Sequence, residues 1–142
     1  MAELDESTYE RVKRFAAAGD ELVAAGEFRA AIREYNEAWG LLPEPKSDWN
    51  AATWILAAIA DAAFVGGFIR TAREALDFVM VCPDAVGNPF LHLRRGEVLF
   101  EQQDFGAAAD ELMRAYMGGG LEIFEQEHDK YLEFLRTRAV LP

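Results

Sequence analysis

Residues 19–31 read GDELVAAGEFRAA, and their pattern returns at residues 60–72, ADAAFVGGFIRTA, and at residues 96–108, GEVLFEQQDFGAA. The copies lie 41 and then 36 residues apart. Each copy has a small residue, an apolar residue and Ala at matching positions. These are Gly19, Phe28 and Ala31 in the first copy, Ala60, Ile69 and Ala72 in the second, and Gly96, Phe105 and Ala108 in the third. Independent helices would not keep this register, so the repeat indicates an α-solenoid built from helical hairpins.

Turn and cap signals divide the chain into seven predicted helices, and no stretch alternates with period two as a strand would. Ser7 with Glu10 predicts a capping box at the first helix. Ser47 or Asp48 is expected to cap the third helix, and Asn88 the fifth. The predicted helices cover about residues 7–25, 28–42, 49–65, 69–81, 88–102, 105–117 and 122–137.

These helices predict an all-α fold in one domain, residues 1–142. Its parts are an α-solenoid of three hairpins and a C-terminal capping helix. The hairpins cover about residues 8–45, 48–83 and 88–120, and the capping helix about 122–137. A chain of 142 residues is long enough to bury a core, and 51% hydrophobic residues argue against disorder.

The charge balance limits the classes of partner. There are 14 Lys and Arg residues against 25 Asp and Glu, which gives a formal charge of −11. Nucleic acids and anionic membranes bind clustered cations, so both are disfavoured as partners. The excess of acid favours a basic protein partner, or serves solubility. We expect the chain to act as a monomer or weak dimer.

Other features of the sequence favour a cytoplasmic protein. Cys82 is the only cysteine, so no disulfide forms within one chain. The first ten residues, MAELDESTYE, are acidic and lack the apolar core of a signal peptide. The longest apolar stretch, residues 51–68, is interrupted by Asp61 and falls short of a membrane span.

Several residues at fixed repeat positions resemble the tetratricopeptide repeat (TPR). The first repeat has Phe15, Ala18, Gly19, Leu22, Ala31, Tyr35, Ala38 and Pro43 at these positions. The third has His92, Arg95, Gly96, Leu99, Ala108, Leu112 and Ala115, and the weaker second has Leu56, Ile59, Ala60, Ala63, Ala72, Leu76 and Val79. The resemblance covers about residues 7–120. It implies a TPR-like fold that binds proteins.

A narrower resemblance rests on three strings. They are LLPEPKSDWNAATWILAAIADAAF at 41–64, NPFLHLRRGEVLFE at 88–101 and AADELMRAYMGGG at 108–120. Together they resemble small bacterial TPR proteins that are often encoded beside Rhs-type or other polymorphic toxins. The resemblance implies an immunity protein, or antitoxin, that binds a cognate toxin and inhibits it.

In the TPR family the first helix of each hairpin lines a concave groove. The resemblance implies that the corresponding residues of this chain face such a groove. One repeat position holds Asp20, Asp61 and Glu97, a row of carboxylates beside aromatic side chains. Aromatic residues flanked by charge are typical of interface hot spots. The partner-binding residues predicted from these positions are Asp20, Trp54, Asp61, Phe64, Phe90, Arg94, Glu97 and Glu101.

Two structural interpretations of the same residues stay open. The acidic row is equally consistent with a helix face that is exposed to water. Phe64 is equally consistent with a core residue that lies between repeats. Trp39 and Trp49 flank the proline loop and are expected to hold the first repeat to the second.

The residues that could carry chemistry do not form a catalytic pattern. His92 is expected to be a core or half-buried side chain. His128 is expected on a solvated helix face, and Cys82 as an inert, part-buried thiol. Glu97 and Glu101 share a helix face, but nothing in the sequence supplies the cleft that acid–base catalysis requires. We therefore predict no enzyme, no metal and no cofactor. The alternatives to an immunity protein are a scaffold or adaptor that binds a peptide in its groove, and a regulator that senses a small molecule or peptide.

Overall fold

The computed structural model describes residues 3–141, which contain seven α-helices and no strand. The limits of the predicted domain, residues 1 and 142, lie outside the described residues, as do the first two residues of MAELDESTYE. The helices are α1 Glu6–Ala24, α2 Phe28–Gly40, α3 Asn50–Val65, α4 Ile69–Val79, α5 Pro89–Glu101, α6 Phe105–Gly119 and α7 Asp129–Arg138. Two 3₁₀ turns occupy Lys46–Asp48 and Leu121–Phe124.

The helices pair as three hairpins, α1 with α2, α3 with α4 and α5 with α6, as predicted. They fall into two compact units, one ending at Ala85 and the other beginning at Val86. In the first unit, α2 also packs against α3. In the second, α7 packs against α6. The all-α helical-repeat fold is therefore confirmed, while the single domain stays a prediction.

The repeated small residues lie where the two helices of a hairpin approach most closely. A Cβ added at Gly96 would lie 2.7 Å from Leu112 Cγ, inside van der Waals contact. A Cβ at Gly19 would overlap the Tyr35 ring in the same way. The facing alanines Ala31, Ala72 and Ala108 are all completely buried. Close helix approach is thus the physical reason for the repeat.

The repeat extends to the backbone of each connection. Gly26, Gly67 and Gln103, which follow the same steps of 41 and 36 residues, adopt left-handed φ angles of 77°, 86° and 64°. The next amide then donates to a carbonyl five residues back, from Glu27 to Leu22, from Phe68 to Ala63 and from Asp104 to Leu99. This is the Schellman arrangement, which satisfies the last carbonyls of a helix.

Two of the predicted helix caps are wrong. The cap of α1 is Asp5, whose Oδ1 accepts a hydrogen bond from the Thr8 amide at 2.8 Å, so the Ser7 box does not form. Ser47 and Asp48 lie in the 3₁₀ turn instead, and α3 begins after Trp49 with no side-chain cap. The Asn88 cap is confirmed, since its side chain accepts from the amides of the first turn of α5.

The loop between the first two hairpins is held by its own side chains. Lys46 Nζ donates to the carbonyl oxygens of Trp39 and Leu42, at the end of α2, at 3.1 and 2.7 Å. Trp49 Nε1 donates to the Pro43 carbonyl oxygen at 2.7 Å. These bonds support the expected role of Trp49 in joining the first repeat to the second.

The C-terminal segment is not the single helix predicted for residues 122–137. Gly120, with φ of 68°, ends α6, and a 3₁₀ turn follows. The last helix begins only at Asp129, because His128 caps it: His128 Nδ1 accepts from the Lys130 amide at 3.0 Å. Among the described residues, none of the helices combines the length and apolar character needed to cross a membrane.

Replacing Gly96 by Ala should destabilise the protein because the new methyl group collides with Leu112. We expect a loss of about 1–3 kcal/mol in the free energy of unfolding, measured by denaturant titration. Gly106→Ala in α6 is the matched control, since nothing lies within 4 Å of its added Cβ. This control should change stability by less than about 1 kcal/mol, toward stabilisation. Equal effects of the two changes would contradict the close-approach interpretation.

Candidate functional site

Two carboxylates of the predicted row lie together in the first unit. Asp20 on α1 and Asp61 on α3 are both exposed, and both lie near the Tyr35 hydroxyl of α2. That hydroxyl donates to Asp20 Oδ1 at 2.6 Å. Burial of Tyr35, its hydrogen bond to Asp20 and the negative charges of Asp20 and Asp61 all raise the Tyr35 pKa. The two hairpins of this unit therefore present two neighbouring acids.

Trp54 lies on the same face of α3 as Asp61, because seven residues make almost two helical turns. The Trp54 side chain is 37% exposed, whereas Phe64, near the end of α3, is half-buried. We call Asp20, Trp54 and Asp61 the acidic–aromatic face. It is built on the first helices of both hairpins of this unit, as the repeat positions predict.

An open cleft of about 330 Å³ lies at the Trp54 end of this face. We call it the aromatic cleft. It is lined by Glu3, Leu4, Tyr9, Trp49, Asn50, Ala51 and Trp54. Of these residues, only Trp54 is among the partner-binding residues predicted from the sequence. Tyr9 follows the same face of α1 as Ala16 and Asp20 at helical spacing, which is the signal that could have found it.

The predicted residues of the second unit do not form a comparable exposed set. Phe90, in the first turn of α5, is exposed by 69%. Glu97, by contrast, is completely buried, so it does not extend the row of exposed carboxylates. Arg94 lies beside it with its guanidinium Nη1 2.9 Å from Glu97 Oε1 and 3.1 Å from Glu127 Oε1. Arg94 and Glu97 thus form an internal cluster with the C-terminal segment.

Glu101 also bonds to the C-terminal helix. Its Oε2 accepts from the Tyr131 hydroxyl at 2.8 Å and lies 2.9 Å from Lys130 Nζ. Partial burial opposes ionisation of Glu101, but the hydrogen bonds from Lys130 and Tyr131 outweigh it and lower its pKa. The Phe100 ring contacts Tyr131 and Phe134 edge-on. This face of α5 therefore packs against the C-terminal segment.

Burial is also the largest influence on the Glu97 carboxyl, and it raises the pKa of Glu97 to about 9. The hydrogen bond and negative charge of Glu127 raise it further, while the Arg94 cation opposes them. No donor among the described residues reaches Glu97 Oε2. With a pKa of about 9, the carboxyl is protonated near neutral pH, so no buried negative charge has to be compensated at this atom.

A second polar network crosses the α5–α6 hairpin and was not predicted. Glu111 accepts from His92 Nδ1 at 2.6 Å and from Arg95 Nη1 at 2.7 Å. The Gly87 amide donates to His92 Nε2 at 2.9 Å, so the ring proton of the neutral tautomer lies on Nδ1. His92 is 4% exposed, which confirms its expected place in the core. The network joins the two helices rather than forming an accessible site.

The remaining candidates for chemistry show no metal or nucleophile geometry. Among residues 3–141, no three His, Cys, Asp or Glu side chains could hold a metal ion. Cys82 is buried, and burial raises the pKa of its thiol, which keeps it protonated. The acidic–aromatic face and the aromatic cleft are therefore the candidate binding surface of the first unit.

Comparisons with known proteins address the fold. No family model and no curated protein matches the chain. Among solved structures, the Arabidopsis OM64 TPR domain is similar, with a TM-score of 0.70 and 18% sequence identity. The alignment covers 93% of this chain and 99% of that domain. The chain has a TPR-like fold. At this identity the likeness extends to the fold alone.

The buried carboxyl predicts a pH dependence of stability. Its folded pKa, about 9, lies above the ordinary value of 4.5. Between these values the folded state binds more protons than the unfolded state, so the free energy of unfolding falls as pH rises. The loss is at most about 1.4 kcal/mol per pH unit. Glu97→Gln should flatten this decline in denaturant titrations between pH 5 and 9.

The exposed Glu125 supplies the control, since Glu125→Gln removes a carboxylate two residues from Glu127. This variant should keep the wild-type decline. If Glu97→Gln declines as steeply as the wild type, then Glu97 is ionised in the folded protein and the assignment is wrong.

Proposed function

We propose that this chain is a protein-binding module, and that it acts in the cytoplasm as an immunity protein which binds and occludes a basic bacterial toxin. The acidic–aromatic face is the observation that carries the proposal. It exposes Asp20, Asp61 and the Trp54 indole on neighbouring helices. Exposed tryptophan beside charge is a common composition of binding hot spots. The TPR-like fold supports a protein-binding function. The resemblance of three sequence strings to toxin-associated TPR proteins supports the immunity role.

The mechanism we propose is occlusion rather than catalysis. A toxin that acts on nucleic acid or nucleotides needs a cationic surface to hold its substrate. The formal charge of −11 would attract such a surface, and electrostatic attraction raises association rates. Once docked, the acidic–aromatic face would cover the cations that the substrate requires. Rapid association suits an inhibitor that must act before the toxin does.

We propose different roles for the predicted residues of the two units. Asp20, Trp54 and Asp61 would contact the partner directly, with Phe64 at the border of the face. Phe90 in the second unit would add a separate apolar contact, since it is largely exposed. By contrast, Arg94, Glu97 and Glu101 bond to the C-terminal segment, so we propose that they hold that segment in place.

Rescue from the toxin tests the proposed function. The gene beside the one that encodes this chain should encode a toxin, and co-expression of this chain should restore growth of cells that express that toxin. Failure to rescue, with both proteins present in soluble form, would reject the immunity role. Binding without rescue would instead favour a scaffold or adaptor.

Neutralising the acids of the face should weaken toxin binding. We expect Asp20→Asn with Asp61→Asn to reduce affinity by about tenfold, mainly through slower association, in surface plasmon resonance at low salt. Asn can still accept the Tyr35 hydrogen bond, so the fold should persist. Glu37→Gln with Glu74→Gln removes the same charge from α2 and α4, where both side chains are exposed. This control should bind almost normally, and a larger loss in the control would assign binding to the second helices.

A further inference from the structure

The aromatic cleft has a chemistry that the proposed function does not specify. Three of its lining residues are aromatic: Tyr9, Trp49 and Trp54. Glu3 is the only charged residue among those that line it in the described part of the chain, and it is an acid. Its volume of about 330 Å³ falls within the usual range of small-ligand sites, about 300–1,000 Å³. Aromatic faces beside a carboxylate attract a cation.

The N-terminus of α3 also lines the cleft. Its partial positive charge would favour an anion rather than a cation. Asn50 and Ala51 begin this helix, and Trp49 before them provides no side-chain cap. A helix N-terminus carries partial positive charge and favours an anion. Glu3 already supplies a carboxylate to the same cleft. The chain thus provides its own anion there, and a second anion would meet repulsion from Glu3.

The surroundings of the cleft are negative as well. Residues 3–10 contain four acids and no Lys or Arg. Hydrogen bonds from Thr8 lower the pKa of Asp5, which keeps this carboxylate ionised. The Tyr9 ring already holds one cation, because Lys13 Nζ lies 4.7 Å from its centroid while it pairs with Glu10 at 3.1 Å. Lys13 is not among the residues that line the cleft.

We propose that the aromatic cleft binds an arginine side chain of the basic partner protein. A guanidinium is planar and weakly hydrated, so it stacks on an indole face and still donates hydrogen bonds to a carboxylate. Trp49 and Trp54 are the indoles that line the cleft, and Glu3 is its carboxylate. Lysine, as a compact and strongly hydrated charge, matches this combination less well. The inference deepens the proposed function and rests on it for the source of the arginine.

Short peptides test the chemistry without the toxin. The probes are terminally blocked Gly-Arg-Gly and its citrulline counterpart, which has the same shape but no charge. The chain has three tryptophans, and Trp39 lies outside the cleft, against Phe78. In NMR titrations of the indole N–H signals, the arginine peptide should shift Trp49 and Trp54 but leave Trp39 unchanged. The citrulline peptide should bind about tenfold more weakly.

Several outcomes would overturn the proposal. Equal binding of the citrulline peptide would show that charge is not recognised. A lysine peptide that binds as tightly as the arginine peptide would contradict the assignment to a guanidinium. Tighter binding of a Gly-Glu-Gly peptide would assign the cleft to an anion at the start of α3. Absence of any shift at Trp49 and Trp54 would remove the site altogether.

Variants of the full chain provide a second measurement. Trp54→Leu keeps an apolar side chain but removes the indole face, and Glu3→Gln removes the carboxylate. Each should weaken binding of the arginine peptide about threefold to tenfold, whereas Trp39→Phe should leave it unchanged. Thermal unfolding monitors whether each variant is folded. Loss of affinity in Trp39→Phe equal to that in Trp54→Leu would contradict the assignment.

The peptide and rescue experiments separate this inference from the proposed function. Arginine binding without rescue would retain the cleft and reject the immunity role. Rescue without arginine binding, or rescue by Trp54→Leu at wild-type affinity for the toxin, would retain the immunity role and reject the cleft as its anchor.

Discussion

The close approach of two helices at a residue without a bulky side chain is the contact on which each hairpin depends. Gly19 touches the Tyr35 ring, and Gly96 touches the Leu112 side chain, at distances that leave no room for a methyl group. This contact aligns the two helices and buries one side of the first helix. The other side of the first helix is then available for polar and aromatic residues. In the first unit, that side carries the acidic–aromatic face.

The architecture could be predicted because the repeated small residues and alanines are the residues that form the hairpin contact. The same register also places Gly26, Gly67 and Gln103 in their left-handed conformations. Helix ends were less predictable because neighbouring polar residues compete to cap them. Asp5 forms the cap of α1 in preference to Ser7, since its carboxylate reaches both the amide and the hydroxyl of Thr8. The C-terminal helix was misjudged because apolar periodicity continues across a 3₁₀ turn.

The candidate site was predictable only where no later segment covers the helix face. Repeat position identifies which side of a helix a residue occupies, and Asp20 and Asp61 are both exposed accordingly. Glu97 occupies the same position but is completely buried. Arg94 and Glu127 lie against its carboxyl, and Glu127 belongs to a segment outside the repeats whose location the register does not give. Trp49 was missed for a related reason, because it precedes α3 and no helical periodicity assigns it to a face.

Each hairpin is closed by a connection of only three residues, 25–27, 66–68 and 102–104. Contacts between helices that follow each other so closely involve short chain separations, and chains rich in such contacts fold rapidly. Each hairpin can therefore form soon after its second helix leaves the ribosome, without waiting for distant parts of the chain. Such a protein would reach its binding-competent state with little delay after synthesis. The short turns therefore influence how soon the folded protein is available as well as the geometry of its hairpins.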